Sequence, residues 1–316
     1  RGWRWHGRHA QRCGSPPEAG PPPPPGLFAL AGACNARAQA PATPVPFRLP
    51  DIPAVLTAPE DRAAYLSVHY WDHFDFKDPS LIERAEVTEQ AFVDFISILP
   101  YTGNAPAAVD TLSRRAAADR RMLDHFITLG DKYLYEPNSP MHNEELYILV
   151  LRAQLANPAL SRTEKIRPRY LLELALKNRP GDPAAAFTFL RRDGSRGRMS
   201  EIGAPYLLLY FNDPECDDCR RVKRQLAESP VLNRRLEDGR LRLLSVDVTG
   251  GNGTREQESV PPGWIDGRDE GEQLTRKEVY DLKAMPTLYL LDAQKRVVLK
   301  DTTLERIEEY LVREAH

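Results

Sequence analysis

PYLLLYFNDPECDDCRRVKRQL, Pro205 to Leu226, decides how the second half of the chain is read. Pro205 to Phe211 is an almost unbroken apolar run, as expected for a strand buried on both faces. A short polar turn follows. A helix is then predicted over Cys216 to Leu236, with Val222 and Leu226 inward. Cys216 and Cys219 therefore fall at a helix N-terminus, where unpaired N–H groups and the helix dipole stabilise an anion. A thiolate is such an anion, and it is the attacking species in disulfide exchange. The two intervening residues, Asp217 and Asp218, keep both sulfurs in the first turn. Cys216, the more exposed, is expected to act as nucleophile, and Cys219, one turn inward, to resolve the mixed disulfide.

Other readings of the pair fit less well. A structural zinc site wants four ligands. From Lys177 onward there is no further cysteine, and the only histidine is His316. A peroxidatic cysteine is typically preceded at the third position by Thr or Ser, and here Asp213 stands there. Chance pairing of two structural cysteines stays open.

Working outward, Phe187 to Arg191 reads as a strand, DGSRGR as a turn, and Met199 to Ile202 as a connection. LRLLSVDV (241–248) is a second buried strand. TLYLLD (287–292) and RVVLK (296–300) read as a hairpin. A helix is predicted over Gln273 to Lys283. The last helix opens with Thr302 and Glu305 as a capping box and presents Leu304, Ile307 and Leu311 inward. The order is βαβ followed by ββα, an α/β sandwich. Gly250 to Gly271 reads as an insertion, a surface loop with Trp264 as its anchoring aromatic; the alternative has Trp264 packing near the cysteines.

With these residues in place, Lys177 to Glu314 resembles the thioredoxin-like thiol–disulfide oxidoreductases of the bacterial cell envelope, the TlpA/ResA-like group. The resemblance rests on YLLLYF, the Cys216–Cys219 pair, LLSVDV and YDLKAMPTLYLLD. It implies a thioredoxin-like fold and thiol–disulfide exchange with protein thiols and disulfides, with a membrane-associated electron donor and no metal, flavin or nucleotide. It also implies that the bond before Pro286 is cis, that Met285 and Pro286 face the cysteines, and that they line the substrate groove. The residue-level alternative is an ordinary proline opening an edge strand. The sequence departs from the family at Glu215, where an aromatic is usual, and at Tyr210, where thioredoxin has a buried acid. Asp213, Glu215, Asp217 and Asp218 surround the nucleophile, and carboxylates disfavour a thiolate. Arg220, four residues after Cys216, offsets part of that charge. The expected poise is reducing or mild. The helical segment resembles an uncharacterised domain found in front of such folds.

That segment, 60–176, is read as an all-α domain of about five helices, with amphipathic stretches at 60–76, 87–99, 107–129, 143–155 and 163–176. His69 and His73 are four apart, a metal-pair spacing, but they sit among aromatics and read as packing histidines. KYLYEPNSPMHNEELY reads as a helix connection capped by Ser139 or Asn143 rather than a binding loop. RTEKIRPRYLLELALKNR, with six basic residues, reads as a solvated face.

The chain has 316 residues, with 41% hydrophobic and 28% charged, as in ordinary globular proteins. A net charge of −2 gives no field favouring nucleic acid or an anionic membrane surface. Residues 1–40 are expected to be removed: basic residues, the apolar stretch Leu27 to Cys34 and Ala38-Gln39-Ala40 follow the pattern of a secretory leader. Pro21 to Pro25 does not suit a leader and points to a start further along; the plain alternative is a disordered Pro/Ala tail. Ala31-Gly32-Ala33-Cys34 also resembles a lipoprotein box, which makes a lipid anchor on Cys34 the alternative, and the only membrane attachment expected. Residues 41–59 form a proline-rich linker running over a surface. Of Cys13, Cys34, Cys216 and Cys219, cleavage after Ala40 leaves only the close pair, as suits a dithiol in an oxidising envelope compartment. The competing function is a non-catalytic envelope binding protein, with the thioredoxin fold as scaffold and the helices gripping a partner; fold alone does not choose.

Overall fold

The computed structural model describes residues 47–249 and 260–314. The leader, Cys13, Cys34, the Ala40 site and the first part of the predicted insertion lie outside them.

Six α-helices come first: α1 Pro59–His69, α2 Thr88–Ile98, α3 Ala105–Ala116, α4 Arg120–Gly130, α5 Glu144–Ala156 and α6 Ile166–Ala175. Their starts are written locally. Prolines stand in the first turns of α1 and α3, where a missing N–H is harmless. Asp119 and Asn143 cap α4 and α5 by accepting the N–H of Met122 and Leu146. The stretch read as one helix over 107–129 is broken at Ala117–Asp119, because Asp119 starts a new helix. Helix α1 stops at His69, so His73 lies beyond it on an exposed turn. The two histidines therefore share no helix face. His69 stacks on Tyr65 and its Nδ1 lies 2.7 Å from Asp72, while His73 is exposed.

The helices close over an aromatic core. Trp71 is 1% exposed, and the rings of Phe47, Tyr70, Phe74, Phe95 and Phe126 lie 5.1–5.5 Å from it, mostly edge-on. Phe47 thus ties the proline-rich linker to the helices.

The rest is a seven-stranded sheet of β1 Thr188–Leu190, β2 Arg196–Arg198, β3 Tyr206–Asn212, β4 Leu241–Asp247, β5 Ile265–Asp269, β6 Thr287–Asp292 and β7 Val297–Leu299. The order is β2-β1-β5-β4-β3-β6-β7. β3–β4 and β4–β5 are parallel, and the other pairs antiparallel. Alternation along β3 feeds two cores. Leu208 and Tyr210 face α7 Asp217–Glu228, α8 Pro230–Glu237 and α10 Leu304–Arg313, meeting Leu226, Leu232, Ile307 and Leu311. Leu207, Leu209 and Phe211 face Phe187, Phe189, Met199, Tyr280 and the short helix α9 Gln273–Arg276.

Five predicted elements of this half differ. Arg196–Arg198, the end of the stretch expected as a turn, is the edge strand β2, paired antiparallel with β1. The helix expected over Cys216–Leu236 is two helices, because Ser229 caps α8 and Pro230 is its first residue. The helix expected over Gln273–Lys283 is the single turn α9; the chain then leaves helical geometry at Glu278, whose φ is +48°. The cap of α10 is Thr303, which accepts the N–H of Arg306, and Thr302 stands before it. Part of the insertion is β5, lying parallel to β4. β5 reads IDGRD and carries no apolar run. Its Gly267 lies under the Phe189 ring, and a Cβ there would approach that ring to 2.8 Å.

Candidate functional site

β3, at the centre of the sheet, delivers the site. The chain turns through Asp213-Pro214-Glu215, with the Asp213 carboxylate accepting the Glu215 N–H at 2.8 Å. Cys216 is the N-cap of α7, and its Sγ accepts the Cys219 N–H at 3.2 Å. Cys216 is partly exposed, Cys219 is 2% exposed, and both are free thiols. The Asp213 N–H points at the Cys219 sulfur, 3.5 Å away. Burial pushes the Cys219 thiol up to about 12; the Asp213 amide opposes this, and Cys216 and the Asp213 charge add to it.

Two of the acidic residues read from the sequence pair with arginines. Asp217 pairs with Arg220, which also donates to the Pro214 carbonyl at 2.8 Å and so pins the turn to the helix. Asp218 pairs with Arg221 at 2.8 Å. Glu215 is exposed at the lip of the turn.

Across from the pair, the Met285–Pro286 bond is cis, and the Met285 carbonyl oxygen lies 3.7 Å from Cys216 Sγ. Thr287 closes this loop by donating its hydroxyl to the Ala284 carbonyl at 2.6 Å. Cys216, Cys219, Met285 and Pro286, some seventy residues apart in sequence, are thus brought together.

Three further residues complete the site: the Tyr210 hydroxyl and Asp266 carry no local sequence signal, and Trp264 follows the alternative of packing near the cysteines. Tyr210, where a buried acid was looked for, donates its hydroxyl to the Cys219 carbonyl at 2.7 Å and ties down the first turn of α7. Trp264 is buried with its ring centroid 6.2 Å from that of Tyr210. It therefore packs behind the site and is no surface-loop anchor. Asp266 shares a cavity of about 40 Å³ with Cys219, Lys223, Ser245 and Asp247. Burial raises its carboxyl, against the pull of Arg192 and Lys223. Tyr210, Ser245 and Asp266 are register partners across β3, β4 and β5 and so point to one face. Only strand pairing reveals that row, and β5 was read as loop.

Among the described residues, no cluster of three or more His, Cys, Asp or Glu could hold a metal, and no helix is long and apolar enough to cross a membrane.

A family model described as a domain of unknown function, DUF5106, matches residues 31–178. A thioredoxin-like protein from Bacteroides caccae ATCC 43185 is 41% identical, with a TM-score of 0.79 over 86% of this chain and 99% of its own. A conserved protein of unknown function from Bacteroides fragilis is 38% identical, covering 42% of this chain and 98% of its own at a TM-score of 0.39. The thioredoxin domain of a thiol-disulfide oxidoreductase from Bacteroides vulgatus is 16% identical, covering 44% and 99% at a TM-score of 0.37. No curated protein matches. Full-length likeness to the Bacteroides caccae protein, together with the dithiol turn and the cis-proline loop facing it, leads to one conclusion: the chain belongs to the thioredoxin-like family, with a helical domain in front of the thioredoxin fold.

Proposed function

We propose that the chain carries out thiol–disulfide exchange on protein substrates in the cell envelope, as a reductase or mild isomerase. One observation carries this reading: a partly exposed Cys216 caps a helix with a shielded Cys219 behind it, opposite the Met285–Pro286 loop. The Cys216 thiolate attacks one sulfur of a substrate disulfide. The other substrate sulfur leaves as a thiolate and takes up a proton. Cys219 then loses its proton and attacks Cys216 Sγ, which breaks the mixed disulfide and releases the second substrate thiol. Two electrons have passed to the substrate, and the pair is left as the Cys216–Cys219 disulfide. Met285 and Pro286 line the groove that holds the substrate chain. Asp266, which lines the same cavity as Cys219, takes the Cys219 proton, since a cavity of this size admits a bridging water. Arg220 and the acids at 215, 217 and 218 tune the pair. A membrane-associated dithiol donor returns the electrons. The envelope setting rests on the leader pattern before Ala40 or the lipid box at Cys34.

The unequal exposure of the two sulfurs supports exchange over a scaffold role, which would be served by two equally buried ones. The test is the redox equilibrium of the pair in glutathione and dithiothreitol buffers, with Cys216→Ser as control. A reversible two-electron transition is expected that disappears in the variant, at a potential near or below about −250 mV, beside thioredoxin and below the strong oxidants. If no transition appears at any poise, the pair is structural and the reading fails.

A further inference from the structure

The Met285–Pro286 loop ends a ten-residue segment, 277–286, that lies between α9 and β6 and contains no helix or strand. Its middle is anchored in the sheet core by Tyr280, buried against Phe187, Phe211 and Tyr289, and its two sides are tied to the helices. Lys177, just past α6, donates its ammonium to the Glu278 carbonyl at 2.7 Å, and Asn178 donates its side-chain amide to the Val279 carbonyl at 2.9 Å. Tyr170 of α6 bonds the Glu278 carboxylate.

Closer to the loop the ties become ionic and buried. Lys283, two residues before Met285, is 10% exposed in its side chain. Its ammonium lies 3.1 Å from Asp301, 3.4 Å from Asp281 and 3.7 Å from Glu144, the first residue of α5, and 5.0 Å from the Tyr135 ring. Glu144 in turn meets Lys300 at 2.6 Å, and Lys300 donates to the Ala175 and Lys177 carbonyls. Three carboxylates and two ammoniums thus lie shielded between the helices and the loop. A buried ionic set gives little net stability, because desolvation offsets attraction, but it admits few geometries. Its attraction is strong only while every member keeps its place.

We propose that Glu144 and Lys283 are positioning residues for the exchange reaction, through which the helical domain holds the Met285–Pro286 loop against Cys216. This rests on the reading of Cys216–Cys219 as a working dithiol. It gives the helical half a role in substrate binding without placing any of its residues in the groove. The Met285 carbonyl, 3.7 Å from the Cys216 sulfur, is the point where a shift of the segment is felt.

The test uses the full chain, insulin as disulfide substrate and dithiothreitol as electron source. Glu144→Gln keeps the shape and removes the charge. It is expected to raise KM for insulin about three- to tenfold with little change in kcat, in the range by which residues remote from a ligand alter coupling. Alkylation of Cys216 by iodoacetamide should keep its rate. Hydrogen exchange at residues 282–288 should quicken. Lys283→Met should behave likewise, and Lys283→Arg, which keeps the charge, should retain most of the wild-type KM. A lowered Tm with unchanged KM and unchanged exchange in both neutral variants overturns the proposal, since the cluster would then be structural only. Should the wild-type chain leave insulin oxidised, the dithiol reading fails instead. Exchange at 282–288 then decides the brace alone: faster exchange in Glu144→Gln supports it, and unchanged exchange overturns it.

Discussion

Cys219 carries the clearest linkage between burial and pH. Its thiol is pushed up to about 12 from an ordinary 9.0, first by burial. A folded-state value above the unfolded one means that the protonated thiol favours the fold. This contribution is complete below about pH 9 and is lost as pH rises toward about 12, where the unfolded thiol ionises and the buried one does not. Urea unfolding at about pH 8 and about pH 10.5 should therefore cost the wild type more stability than Cys219→Ala. Equal losses would mean that the thiol is not shielded. The chemistry of the pair was legible because the C-x-x-C spacing, the strand before it and the proline loop after it are each local patterns. Asp266 and the role of Tyr210 were not, because both arise from a row that crosses three strands. Asp266→Asn should slow resolution of the mixed disulfide near neutral pH and leave Cys216 alkylation alone. A resolution rate equal to wild type would remove Asp266 from the mechanism.

Among the elements, β1, β3, β4, β6 and β7 were legible, and the plainest of them are β3 and β4, the central pair. YLLLYF and LRLLSV announce themselves by composition, and their burial is near complete. β5 has no such signal. It is held by pairing with β4 and β1, and its centre is a glycine because Phe189 of β1 lies across it. Gly267→Ala should thus act as an overpacking change and destabilise by about 1–3 kcal/mol in chemical unfolding. A neutral result would show that the Phe189 ring moves aside freely. Helix boundaries failed where a cap was overlooked: Asp119 and Ser229-Pro230 both stop one helix and start the next. Those signals are present in the sequence, but long apolar periodicity hid them. The end of α1 falls at His69 rather than near residue 76, about two turns early, and the cap of α10 lies one residue later than expected; helix ends answer to tertiary contacts.

At the scale of the molecule, the described residues fall in one compact unit, although the sequence divides them into helices followed by an α/β fold. Composition and periodicity report each half separately, and neither reports the charges trapped between them. Lys300 is the innermost of these, with its side chain 3% exposed. Its ammonium lies 2.6 Å from the Glu144 carboxylate and donates to the carbonyls of Ala175 and Lys177, so it joins the end of α6 and the start of α5 to the strand hairpin. Removing one member of a buried ion pair costs about 3–5 kcal/mol, and without Lys300 the Glu144 carboxylate keeps only the more distant Lys283, 3.7 Å away. Lys300→Met should therefore lower stability by that order, and the loss falls on the junction, since the cores of both halves are untouched. The wild type is expected to unfold in a single calorimetric transition, because neither half can open without exposing the shared charges. In Lys300→Met the transition should split in two, with the aromatic helical core and the sheet melting at separate temperatures. A single transition that merely moves down would show that apolar contacts join the halves more strongly than the buried charges do. Two transitions already present in the wild type would show that the junction does not couple them.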